Sequence, residues 1–182
     1  MERSLQHDSN VRISIAGFQR GSRSVHLEAH ARDIPALGDE FQGEITMDGS
    51  LRRVGNRIYV EVTVTTPAIL QCDRSLESYS DLVERHLELV YEVDADLASE
   101  QRDADLSDVA IRGLSPDRQW IDLTEDVRQE LMLGLPMKRV APQYRDRDLV
   151  DLFPSLNDVD EQKPSPSEDH WAALRTLRGN QS

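Results

Sequence analysis

The sequence predicts an α+β protein: an antiparallel β-sheet, either an open meander or a partly closed barrel, packed by one amphipathic helix and followed by a C-terminal helix. Three observations carry this. Ile58, Val60, Val62 and Val64 alternate with Tyr59, Glu61, Thr63 and Thr65, the period of a strand with one dry face and one wetted face. Leu123, Val127, Leu131 and Leu135 recur every four residues, the spacing of an apolar helical stripe. At 182 residues the chain suits one domain, with a real core but not two large ones.

Taken in order, Val11 to Ile15 and Val25 to Ala29 alternate apolar with polar residues and are predicted strands. Gly21-Ser22 supplies a turn signal between them, and Phe18 is placed to begin covering the apolar face. A meander follows: Phe41 to Met47, a turn at Gly49-Ser50, Leu51 to Val54, a turn at Gly55-Asn56, and Ile58 to Thr65. Residues 86–93 alternate as a strand, although Asp81 to Leu87 fits a helical turn equally well. Residues 10–93 are thus mainly β. Residues 94–108 carry many acids and little to bury, which predicts a mobile, hinge-like loop.

The part from 109 to 139 combines strand and helix. Asp122 can accept at the helix N-terminus, Glu125 and Asp126 favour the positive end of its dipole, and Pro136 stops it. Residues 140–164 read as an irregular linker of prolines and acids. Over 165–178, Ser165, Pro166 and Glu168 set up a capping box, and Trp171, Leu174 and Leu177 give the helix one apolar side.

A formal charge of −13 and a pI near 4.7 argue against nucleic-acid binding by general electrostatics, so any RNA contact must be local and DNA is not expected. An acidic surface draws basic partners, ribosomal proteins among them, or simply keeps the chain soluble. No stretch approaches the roughly 20 apolar residues that span a bilayer, and the N-terminus is polar, which predicts a cytoplasmic protein with no membrane partner. Cys72 is the lone cysteine, so no two-thiolate zinc site and no intramolecular disulfide can form. No nucleophile elbow, His-Glu-x-x-His, glycine-rich phosphate loop or P-loop lysine occurs, so no enzyme and no cofactor are expected. His26 and His30 on one strand lie about 13 Å apart at roughly 3.3 Å per residue, too far to share an ion.

The candidate binding residues are Cys72, Asp73 and Arg74 in one segment and Arg52, Arg53 and Arg57 around a hairpin turn. Arg74 in a tight turn can grip a phosphate or carboxylate with two parallel bonds, or close a salt bridge to Asp73 or Glu77. The three other arginines form the densest basic patch and suit either RNA phosphates or a solvated turn. Cys72 suits a buried strand end as well as a binding role.

Leu70-Gln71-Cys72-Asp73-Arg74-Ser75-Leu76-Glu77 is similar to a Cys-x-Arg-Cys-Leu-Glu signature with its second cysteine replaced by Ser75. With the helix from Ile121 to Glu130 running into Leu133-Gly134-Leu135-Pro136-Met137-Lys138, and with Asp169-His170-Trp171-Ala172-Ala173-Leu174, it resembles the YceD family of large-subunit ribosomal RNA accumulation proteins over roughly residues 40 to 178. Many members are similar in carrying Cys-x-x-Cys here and a second cysteine cluster after the Leu-Pro-Met turn. This chain has neither, so no metal is expected. The resemblance implies a non-enzymatic factor for large-subunit ribosomal RNA or its precursor, binding that RNA or a basic ribosomal protein. Two alternatives belong to other classes: an acidic adaptor that recruits a partner, and a metal- or redox-responsive protein using Cys72.

Overall fold

The computed structural model describes residues 11–101 and 110–147. The chain divides into two compact units, residues 1–139 and 140–182. In the first, the strands are β1 (Arg12–Ser14), β2 (Gly21–His30), β3 (Glu44–Val54), β4 (Arg57–Gln71), β5 (Ser78–Val93), β6 (Arg112–Leu114) and β7 (Trp120–Asp122). The helices are α1 (Ala95–Glu100) and α2 (Thr124–Gly134), with a 3-10 turn at Ala31–Asp33. In the second, the described residues 140–147 contain a 3-10 turn at Pro142–Tyr144. The predicted C-terminal helix at 165–178 lies outside the described residues.

The fold is α+β, and its sheet is open rather than a closed barrel. β2 to β6 lie side by side in chain order, antiparallel except for the parallel β5–β6 pair, while β1 and β7 form a separate two-stranded ribbon. Ile45, Met47, Leu51, Ile58, Val60, Val64 and Leu70 are almost wholly buried on one sheet face. Over that face pack Ile13 and Ile121 from the ribbon with Val11 just before it, and Val127 and Leu131 from α2 with its N-cap Leu123. The period-two and period-four patterns therefore meet in one core. Across the opposite face the register places Glu28 by Thr46, His26 by Asp48, Glu61 by Glu88, and Arg52 by Tyr59.

Several expected boundaries move. Gly21-Ser22 is not a turn: it opens β2, and the chain reverses earlier, at Gly17 (φ 70°). Phe41 precedes β3 and bridges to Ala68 alone. Gly49-Ser50 is not a turn either, because β3 runs straight through it. Glycine is needed at 49 for close approach, since a Cβ there would stand 2.0 Å from the Glu61 carbonyl oxygen. Gly55-Asn56 is the true β3–β4 turn, with Gly55 at φ 61°. The ambiguous segment Asp81 to Leu87 is strand, part of β5.

The acidic stretch after β5 is also corrected, because residues 95–100 are helix and not loop. Asp94 caps it, its Oδ1 accepting the N–H groups of Asp96 and Leu97 at 2.9 Å each. For α2 the expected acceptor is in place, Asp122 Oδ1 taking the Thr124 N–H at 3.0 Å.

The strand assignment of Gly49 makes a sharp expectation. Gly49→Ala should lower the unfolding free energy by about 3 kcal/mol, as forced overpacking does, measured from the shift in denaturant midpoint. A loss within about 0.5 kcal/mol, normal for a surface site, would return residue 49 to a turn.

Candidate functional site

The two groups of residues singled out in the sequence sit at opposite ends of β4. This strand is 15 residues long, so its ends are about 46 Å apart at roughly 3.3 Å per residue.

At one end the connection from β4 to β5 is a tight, internally bonded loop. The Cys72 N–H donates to the Glu77 carbonyl at 2.8 Å, and the Leu76 N–H donates back to the Cys72 carbonyl at 2.8 Å. Leu76 adopts φ 61° to close it. Cys72 is fully buried. Asp73 joins this loop to the segment after α2 by two bonds: its N–H donates to the Arg139 carbonyl, and its carboxylate accepts the Arg139 N–H, both at 2.7 Å. The Arg139 guanidinium reaches Glu40 at 3.3 Å, and the Glu40 carbonyl accepts the Ile69 N–H at 2.8 Å. Arg74 is half-buried in the same loop. Ser75 Oγ accepts the Glu77 N–H at 3.4 Å. One buried thiol beside a turn-stabilising hydroxyl is not a zinc donor set, and no group of three metal-ligating side chains occurs among the described residues.

At the other end Arg52, Arg53 and Arg57 share the turn but not a face: Arg52 and Arg53, consecutive in β3, point to opposite sides of the sheet, and each of the three has its own partner. Arg52 is exposed and stacks over Tyr59, 4.2 Å from the ring centroid. Arg53 is half-buried and structural, donating to the Phe18 carbonyl at 2.7 Å and the Gly55 carbonyl at 3.3 Å. Arg57 pairs with Glu92 at 3.2 Å across β4 and β5. The patch is therefore less available than its density in sequence suggests.

Sequence reasoning missed three features near this end. Arg112 and Asp126 form an ion pair at 2.7 Å, each side chain only 10% exposed. Asp126 is thus more than a dipole partner, since it neutralises a buried cation beside Tyr91. Burial pushes the Tyr91 hydroxyl up to about 12, and the Asp126 charge adds to the rise. Arg12 pairs with Asp122 at 3.1 Å and lies over Trp120 at 5.8 Å. Arg118 stands nearby on the loop before β7. The expected role of Glu125 does hold in part: it sits in the first turn, and hydrogen bonds from Arg128 and Gln129 bring its carboxyl down to about 2.

On the wetted sheet face His26 Nδ1 bonds Asp48 at 2.6 Å, and His86 Nδ1 bonds Thr63 at 2.9 Å. His26 is raised above the usual 6.5, first by the Asp48 hydrogen bond and then by its charge.

Together these features define an acidic α+β protein with one long hairpin, a clamped loop at one end and clustered arginines at the other. The family model described as "Large ribosomal RNA subunit accumulation protein YceD" matches residues 60–178, and the chain belongs to the YceD family. The match begins at 60 and not near 40, so Arg52, Arg53 and Arg57 lie outside it while Cys72, Asp73 and Arg74 lie within. No curated protein matches the chain. No solved structure matches it either. No helix among the described residues is long and apolar enough to cross a membrane.

Two outcomes follow from this geometry. Asp126→Ala, which strands the Arg112 charge, should cost about 3–5 kcal/mol in chemical denaturation; a loss under about 1 kcal/mol would mean that the pair is solvated. His26 should titrate above 6.5 by NMR and fall toward 6.5 in Asp48→Asn. Because its folded value is raised, its small stabilisation is complete below 6.5 and is lost as the pH rises through the folded value.

Proposed function

We propose that this chain is a non-enzymatic factor for the accumulation or maturation of large-subunit ribosomal RNA, working in the cytoplasm by binding RNA or a basic ribosomal protein. The observation that carries the reading is the family match over residues 60–178. The charge distribution supports both forms of contact. A net charge of −13 restricts RNA to local sites, and the arginines around the Gly55 turn offer one. The wetted sheet face, with Glu28, Asp48, Glu61, Glu84 and Glu88, suits a basic polypeptide.

The redox alternative is disfavoured by the complete burial of Cys72, since a reactive thiol needs access. The adaptor alternative rests on the C-terminal segment and would appear as a partner lost on truncation after Pro164.

The test is recovery of tagged protein from a native lysate with and without ribonuclease. Large-subunit precursor RNA or ribosomal proteins should co-purify, and ribonuclease sensitivity separates the two forms of contact. If RNA is bound directly, affinity should fall steeply with salt and drop in the Arg74→Ala, Arg52→Ala double variant. Since these positions lie at opposite ends of β4, the single variants should weaken binding independently. Undiminished binding in the double variant would remove both from the RNA contact. Recovery of neither RNA nor ribosomal protein would overturn the assignment.

A further inference from the structure

The end of the sheet around Gly55 brings together arginines that are scattered in sequence, and two adjoining clefts open beside them. One, of about 410 Å³, lies between the Gly17 turn and the loop from Ser115 to Gln119, with Arg53 on its wall. The other, of about 490 Å³, is lined by Arg12, Arg112 and Trp120. Arg118 lines both.

Two side chains here are placed for a ligand. Trp120 is 41% exposed at the start of a strand whose next residue, Ile121, is buried, so the fold leaves a large aromatic surface wet at the cleft. Arg12 lies over the ring, making the indole part of a cation-lined wall. Arg12 and Arg112 already have carboxylate partners in Asp122 and Asp126. The Arg118 guanidinium makes no hydrogen bond or close ion pair among the described residues; the neighbouring Asp117 carboxylate accepts from the Ser115 hydroxyl and also feels the Arg118 charge.

We propose that these clefts hold one nucleotide of a single-stranded RNA, its base stacked on Trp120 and its phosphate bound by Arg118. The inference rests on the RNA form of the proposed function and names the site of contact. An exposed indole beside a guanidinium selects a ligand that is both aromatic and anionic, which a base with its phosphate is and a phosphoserine peptide or lone anion is not. Splayed, unpaired bases can reach such a wall, whereas a duplex cannot offer one. The carboxylates at Asp117, Asp122 and Asp126 limit the site to about one phosphate, in keeping with local contact by an acidic chain.

The test uses the full chain carrying Trp171→Phe, which leaves Trp120 as the reporting indole. Titration with a short oligouridylate should give saturable fluorescence quenching, with uridine monophosphate binding more weakly. Arg118→Ala should weaken oligonucleotide binding about tenfold and reduce the salt slope by about one, while Arg118→Lys restores much of it. Trp120→Ala should weaken it by about tenfold in filter binding, and Trp120→Phe by less. Unchanged thermal melts in these variants exclude misfolding as the cause. No quenching, or full affinity in both alanine variants, overturns the site; equal affinity for the monophosphate overturns the strand and leaves a small-nucleotide pocket. If the variants still recover precursor RNA from lysate as the unaltered chain does, the cleft is wrong and the broader function stands. If the unaltered chain recovers none, it is the broader function that fails.

Discussion

The constraint on which the structure depends is the unbroken pairing of β4 with β5, from Arg57 opposite Glu92 to Gln71 opposite Ser78. A two-stranded ribbon is marginal alone, so its dry face must be covered along its length. Near the Gly55 turn β3 and β6 extend the sheet on either side while the β1–β7 ribbon covers its dry face; further along, α2 does, with Arg85 of β5 pairing to Glu130 of α2 at 3.0 Å. Beyond the reach of β3, Phe41 and Glu40 pair with the β4 backbone at Ala68 and Ile69. Because side chains alternate strictly, a slip of one residue would expose Val60, Val62 and Val64 together, and this fixes the register. Register in turn decides where Arg52 and Cys72 stand.

Charge is sorted by the same scaffold. Along the wetted face His26 pairs with Asp48 and His86 bonds Thr63 across strands in high dielectric, where each contact is worth little and costs little. The buried cation Arg112 is a different case, because unpaired it would cost far more than any surface pair returns. Asp126 from the first turn of α2 answers it, and so the parallel strand β6 and helix α2 are joined by one buried charge pair. That arrangement leaves Arg118 available at the surface of an otherwise acidic chain.

The β4 alternation and the α2 stripe were legible because each is local and long: every one of Ile58, Val60, Val64, Leu123, Val127 and Leu131 is buried as its period requires. Gly49 was misread because glycine serves both turns and close backbone approach. The signal against a turn was present, since Ile45, Met47 and Leu51 stay in phase across it. Residues 94–100 were misread because acids suggest solvation, while Asp94 ahead of Ala-Asp-Leu-Ala is also a helix cap with helix formers behind it. The positions Cys72, Asp73 and Arg74 were located as one loop, but the Asp73 bonds to Arg139 were not legible, nor was the pairing of Arg112 with Asp126. Partners that meet only through the tertiary fold leave no period in sequence, and Arg118 and Trp120 were passed over for the same reason.

The Asp73 to Arg139 bonds also bear on how the loop at Cys72 and the segment after α2 are joined around a lone thiol. A metal held by four thiolates can order such segments outright. Here the same two segments are joined by two backbone-anchored bonds of 2.7 Å, one of them charge-assisted, with Glu40 adding a third strand of the connection through the Arg139 side chain. Hydrogen bonds of this kind contribute about 1–3 kcal/mol each, less than a structural zinc. The remaining order comes from burial of Cys72 and from the internally bonded turn that Ser75 helps close. The loop thus holds its geometry by hydrogen bonding and burial, with a hydroxyl and not a second thiolate at Ser75.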